Sequence, residues 1–173
     1  MKKFDIYEPK NLKEQEKFRY ALGRSGKNMI ICIGLNPSKA SAEESDPTFT
    51  RIQNFLKAKG YENFVLLNLC PQRATKPKDV KSDDKLAKKK NAQIVEYYLD
   101  KYPDAEIWCA WGSNIKQEKF KTYFREIAEL LKNRKCICTL KTKFGHPRHP
   151  LSVSYKTDFK CFCIKDYIKM VLK

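Results

Sequence analysis

Several features that would carry a protein out of the cytoplasm or into a bilayer are missing from this chain. The opening MKKFDIYEPK has no apolar core of a signal peptide, and no apolar run approaches the roughly 20 residues that span a membrane. A cytoplasmic protein with no membrane partner is expected. A disulfide framework is missing as well. The seven cysteines are an odd number, and Cys32, Cys70 and Cys109 sit inside apolar stretches, as reduced thiols packed like small hydrophobes do. Cys136 and Cys138, like Cys161 and Cys163, are separated by one residue, which is not the spacing of zinc knuckles, and no cysteine lies on a Gly-rich electropositive turn suited to a nucleophile. No metal or other cofactor is expected. Neither an internal repeat nor a low-complexity linker divides the 173 residues, so residues 1–173 read as a single monomeric domain.

Acidic residues are scarce relative to basic ones, 20 Asp and Glu against 36 Lys and Arg, which leaves a formal charge of +16. A polyanion is the natural partner of such a surface, because each neutralised phosphate releases counterions. The 12% of aromatic residues adds stacking partners for bases. Lysines crowd the stretch from Lys76 to Lys90, which reads as exposed.

Four short apolar runs rich in β-formers recur: MIICIGL from Met29, NFVLLNL from Asn63, AEIWCAW from Ala105 and KCICTL from Lys135. Continuous apolar runs of this length read as buried parallel strands. Helical patterns lie between them. Asp46 followed by Pro47 marks a helix start and Gly60 a stop, giving a helix over roughly Pro47 to Lys59. A second helix is expected from about Asp84 to Asp100, and one more precedes Gly23. Phe120, Tyr123, Phe124, Ile127, Ala128 and Leu131 recur at spacings of three and four, which makes one apolar helical face. The alternation predicts an α/β domain with a parallel sheet and helices on both faces, whose ligands bind beyond the carboxyl ends of the strands.

The informative turns fall at those ends. GLNPS, from Gly34 to Ser38, offers the Asn36 amide and Ser38 hydroxyl on a turn stiffened by Pro37; the alternative for Asn36 is a strand exit that bonds its own backbone. Asn68 is an amide within an apolar strand, so it either stitches neighbouring backbone or presents a donor and an acceptor to the edge of a base. Arg73 and Lys76 suit phosphates, and Ser113 in AWGSN is a candidate cap for a helix beginning near Lys116, whose N-terminus would welcome one. GHPRHPLS, from Gly145 to Ser152, holds both histidines of the chain, His146 and His149, in a segment that its prolines keep extended.

In this order, GLNPS, FVLLNLC, IWCAWGSN and GHPRHPLS resemble the four motifs of the uracil-DNA glycosylase superfamily. GLNPS is closest to the Gly-Ile-Asn-Pro-Gly form of the mismatch-specific branch, and GHPRHPLS resembles His-Pro-Ser-Pro-Leu-Ser. The GLNPS and GHPRHPL segments also resemble those of a bacterial domain family. The resemblance implies a three-layer α/β/α sandwich around a four-stranded parallel sheet, and a monofunctional DNA N-glycosylase that flips out a uracil-like or modified pyrimidine and leaves an abasic site. Double-stranded DNA is the implied partner, with single-stranded DNA as the alternative, in repair or in defence against modified foreign DNA.

Roles follow from the resemblance. Asn36 would position the attacking water, Asn68 would read the Watson–Crick edge, and His146 would donate to the base oxygen. His149 is the alternative for that role, because the last motif carries one residue more than the pattern. Leu151 would fill the vacated stack and Phe49 would be a platform for the flipped base. Gly34, Leu35, Pro37 and Ser38 would form the pocket turn, while Arg73, Lys76, Ser113, Arg148 and Ser152 would contact DNA. Ser38 is small where uracil-restricted enzymes carry an aromatic, so a C5-substituted pyrimidine, hydroxymethylated or glycosylated, is admitted. Asn36 stands where efficient uracil enzymes have Asp, which leaves open a non-catalytic reader of modified or flipped bases.

Overall fold

Apolar residues that alternate across a strand reach both faces of a sheet, and each face then needs its own cover. The computed structural model, which describes residues 4–81 and 84–173, meets that need with helices on either side of one sheet. Its elements are β1 (Ile6–Glu8), α1 (Leu12–Gln15), β2 (Ala21–Arg24), β3 (Met29–Gly34), α2 (Pro47–Ala58), β4 (Asn63–Asn68), α3 (Lys85–Lys101), β5 (Glu106–Cys109), α4 (Glu118–Leu131), β6 (Cys136–Cys138), β7 (Lys160–Cys161) and α5 (Ile164–Val171). Short 3₁₀ turns occupy Pro77–Asp79, Ser113–Lys116 and Pro150–Ser152.

The sheet has seven strands in the order β1-β2-β4-β3-β5-β6-β7. The four apolar runs form its centre and pair in parallel, β3 with β4 and β5, and β5 with β6. The expected four-stranded parallel sheet is therefore the middle of a larger mixed sheet, because β1, β2 and β7 add antiparallel edges. These edge strands are too short for alternation to show in the sequence. The helix expected ahead of Gly23 is one turn, Leu12–Gln15, between β1 and β2.

Two cores follow from the period of two. Ile30, Cys32, Phe64, Leu66, Trp108 and Ile137 pack with Phe49, Ile52, Phe55 and Leu56 of α2. Ile31, Ile33, Val65, Leu67, Ile107 and Cys109 face the other way and pack with α3, α4 and α5. Five of the seven cysteines are buried in these layers, where burial pushes the Cys70 thiol up to about 11, far from a reactive thiolate.

Helix starts follow local chemistry. Asp46 accepts the Phe49 N–H at 2.8 Å and Asp84 the Ala87 N–H at 2.9 Å. Ser113 does not cap α4. It lies inside the 3₁₀ turn, and Gln117 stands at the helix start without a side-chain capping bond. In the lysine-dense stretch, positions 82 and 83 lie outside the described residues, while Lys76, Lys78, Lys81, Lys85 and Lys89 are exposed.

Candidate functional site

From β3 the chain crosses to β4 on one side, and it later returns to place β5 on the other. A crevice opens beyond the carboxyl ends of strands where the winding reverses in this way. A cavity of about 920 Å³ occupies this place. Gly34 at the end of β3 lines it, with Leu35, Asn36 and Ser38 just beyond, Asn68 at the end of β4, and Ser113 after β5. Phe49 of α2 and the segment Arg148, His149, Leu151 and Ser152 complete the wall. Of the residues expected at a site, Pro37, Arg73, Lys76 and His146 do not line it.

The two asparagines are held differently. Asn36 Nδ2 donates to the carbonyls of Pro37 (3.1 Å) and Ala74 (2.9 Å), which employs both amide hydrogens and leaves the carbonyl oxygen to a ligand. Asn68 is 2% exposed, and its Nδ2 has no hydrogen-bond partner among the described residues. A buried orphan donor costs about 1–3 kcal/mol, a cost that an acceptor on a bound ligand relieves. Gly34 leaves room beside it, because a Cβ there would come within 2.9 Å of Asn68 Oδ1 and displace the amide.

The histidines part company. His149 lines the cavity, and its Nδ1 accepts the Leu151 N–H at 3.3 Å, so the neutral ring carries its hydrogen on Nε2. Burial lowers its pKa against an opposing pull from Asp46, which favours the neutral form near pH 7. His146 Nδ1 lies 3.0 Å from the Tyr167 hydroxyl, which also accepts from Trp111 Nε1 at 2.9 Å. That chain pins the segment to α5 rather than serving the cavity. Burial lowers the His146 pKa too, with Lys116 and Lys121 adding to the shift. Behind His149, Gly112 has φ +74 and a Cβ on it would stand 3.3 Å from the His149 Cβ, so glycine avoids both a strained backbone and a tight contact with His149.

A family model described as protein of unknown function (DUF1643) matches residues 19–151. The chain belongs to that family. No curated protein and no solved structure matches it.

The family match begins at Arg19, a cavity residue that sequence reasoning missed. Arg19 is 2% exposed, donates from Nη1 to the Ala40 carbonyl at 3.0 Å, and has no partner for Nε among the described residues. Burial lowers its pKa to about 10 and Arg73 adds to this, while Asp46 and Tyr7 act in the opposite sense. Asp46, read from the sequence only as a cap, borders the cavity as well. Its second oxygen takes the Ala40 N–H at 2.9 Å, so it ties the loop after GLNPS to α2. The one signal for Arg19 was a charge between Phe18 and Tyr20 in an otherwise apolar stretch.

Arg73 braces that loop from the other side, donating to the Lys39 carbonyl at 2.7 Å and to the Tyr7 hydroxyl at 3.1 Å. Phe49 is fully buried, edge-on to Phe4 at 4.8 Å, and so presents a fixed wall. Leu151 is 53% exposed on the turn Pro150–Ser152. Arg51 of α2 anchors the following segment by donating to the Val153 carbonyl and lying 3.7 Å over the Tyr155 ring. Among the described residues no group of three or more His, Cys, Asp or Glu is arranged to hold a metal ion, and no helix is long and apolar enough to cross a membrane.

Proposed function

We propose that the protein is a monofunctional DNA N-glycosylase with the core of the uracil-DNA glycosylase superfamily, acting on a uracil-like or C5-modified pyrimidine. The observation that carries this reading is the convergence on one cavity of the orphan Asn68 donor, the Asn36 carbonyl oxygen and a neutral imidazole with its hydrogen on Nε2.

The chemistry fits those groups. Duplex stacking hides the glycosidic bond, so the target nucleotide must be extruded, and the exposed Leu151 is suited to fill the gap it leaves. Asn68 donates to a carbonyl oxygen on the base edge. As the C1′–N1 bond breaks, its electron pair leaves with the base, and an oxocarbenium-like sugar develops. His149 Nε2–H donates to the base oxygen where that negative charge appears, a contribution on the order of 3 kcal/mol for one such donor. The Asn36 oxygen orients the water that then bonds to C1′, and the proton the water releases balances the departing anion. Asn36 carries no charge to stabilise the sugar cation, so an easily departing base suits this site better than an ordinary one. The volume and the small Ser38 accommodate a hydroxymethylated or glycosylated C5 position.

Alkali cleavage of duplexes that each carry one modified pyrimidine tests the proposal. Strand scission after incubation with the protein is the expected result. Tight binding of the modified duplex with no alkali-labile site would replace the glycosylase reading with a reader of flipped or modified bases.

A further inference from the structure

Eight large hydrophobic residues are exposed among the described residues, and four of them, Leu140, Phe144, Leu151 and Tyr155, fall within positions 140–155. The same part of the chain is one-sided in charge. From Cys136 to Thr157 it carries Lys141, Lys143, Arg148 and Lys156 and no carboxylate at all. It also forms one rim of the cavity, through Thr142, Lys143 and Arg148 to Ser152.

Phe144 is the most exposed of the four at 65%, and its setting is rigid. The Thr142 N–H donates to the His146 carbonyl at 2.8 Å, the Gly145 N–H to the Thr142 carbonyl at 2.9 Å, and the Arg148 N–H to the Leu140 carbonyl at 2.8 Å. Lys141 bridges to Pro147 in the same hairpin, and Tyr167 holds its His146 end. The ring is therefore presented on a braced tip, with Lys143 Nζ 5.0 Å from its centroid. Tyr155 differs, since Arg51 covers its face.

We propose that this tip is a second stacking element for DNA: Phe144 packs on an unstacked base beside the flipped nucleotide, and Lys141, Lys143 and Arg148 follow the backbone. The proposal rests on the DNA-binding part of the reading above and not on the cleavage step. A protein groove is a poorer occupant, because four cations without a carboxylate call for a polyanion while a bare aromatic calls for a flat apolar face. An unstacked nucleotide offers both.

The test measures binding of wild type, Phe144→Ala, Phe144→Trp and Lys143→Ala to a duplex with a central tetrahydrofuran abasic analogue and 2-aminopurine as its neighbour. Phe144→Ala is expected to bind about tenfold more weakly, about 1.4 kcal/mol, and to lose the 2-aminopurine quenching that stacking causes, with an unchanged salt slope. Phe144→Trp is expected to restore both, whereas Lys143→Ala lowers the salt slope by about one and keeps the quenching. Wild-type affinity and quenching in Phe144→Ala would overturn this inference alone. A wild-type protein that binds no DNA at low salt would overturn the DNA reading and this inference with it. Because Phe144 is solvent-exposed, equal thermal melting of the variants is expected and rules out a folding defect as the cause.

Discussion

Replacing each histidine in turn separates catalysis from anchoring. His149→Ala removes a cavity-lining donor and the Nδ1 acceptor that receives the Leu151 N–H. The loss of one donor to developing negative charge is worth on the order of 3 kcal/mol, which corresponds to a fall of about 10²-fold in base release. The bond to Leu151, at 3.3 Å, is long, so its loss adds little and DNA affinity changes by a small factor. His146→Ala removes the contacts of its ring with the Tyr167 ring and hydroxyl, while that hydroxyl keeps its bond from Trp111. About 1 kcal/mol of stability should be lost, a drop of about 2–4 °C in Tm, with base release within about threefold of wild type. Single-turnover release from a duplex bearing one modified pyrimidine, paired with thermal melting, reads both effects. If His146→Ala loses about 10²-fold while His149→Ala is mild, the assignment drawn from the cavity is wrong.

Asn68→Asp exchanges a buried donor for an acceptor at the proposed base edge, so pyrimidine discrimination should weaken in competition between matched duplexes; an unchanged substrate profile would make Asn68 a core amide only. Gly112→Ala is strained at φ +74 and presses on His149, so both stability, by about 1 kcal/mol, and base release should fall, and wild-type rates would show that His149 has room to move. Ser38→Tyr should suppress release of C5-substituted bases more than release of uracil, and equal losses in single-turnover reactions would mean that Ser38 does not face C5. Both histidines have folded-state pKa values below the usual 6.5, so as pH falls through that value the unfolded chain takes up protons that the folded one resists. Their contribution to stability should therefore decline with acidification from about pH 7 and level off below the folded values, and melts in which His146→Ala and His149→Ala keep the full wild-type slope would refute it.

What the sequence disclosed about the fold was whatever depends on a single element. The four central strands announce themselves because parallel strands buried on both faces are continuously apolar, and α2 and α3 because Asp46 and Asp84 cap them in the ordinary way. The three edge strands were hidden for a physical reason. They run for two to four residues and take their stability from the neighbour they pair with, so nothing in their own pattern distinguishes them from loop. Thus the segment before Gly23 reads as helix until β4 supplies the partner for β2.

The candidate site was legible to the same degree and for the same reason. Turns such as GLNPS and GHPRHPLS carry their own punctuation, which brought Asn36, Ser38, His149 and Leu151 into view before any contact was known. Which histidine faces the cavity depends instead on Tyr167, on a helix beyond the matched family region, and on Gly112, on a different strand end. Arg19 is the extreme case. It comes from the edge of the sheet and reaches the cavity only because the loop it bonds, at Ala40, is itself tied down by Asp46. A charge that is 2% exposed is costly unless the groups around it hold it in place, and among the described residues Asp46 is the only carboxylate that borders the cavity. Both groups border the cavity and both bond Ala40, Arg19 through its carbonyl and Asp46 through its N–H, so an Asp46 that read as a helix cap turns out to join the pocket turn, α2 and the buried guanidinium through one residue.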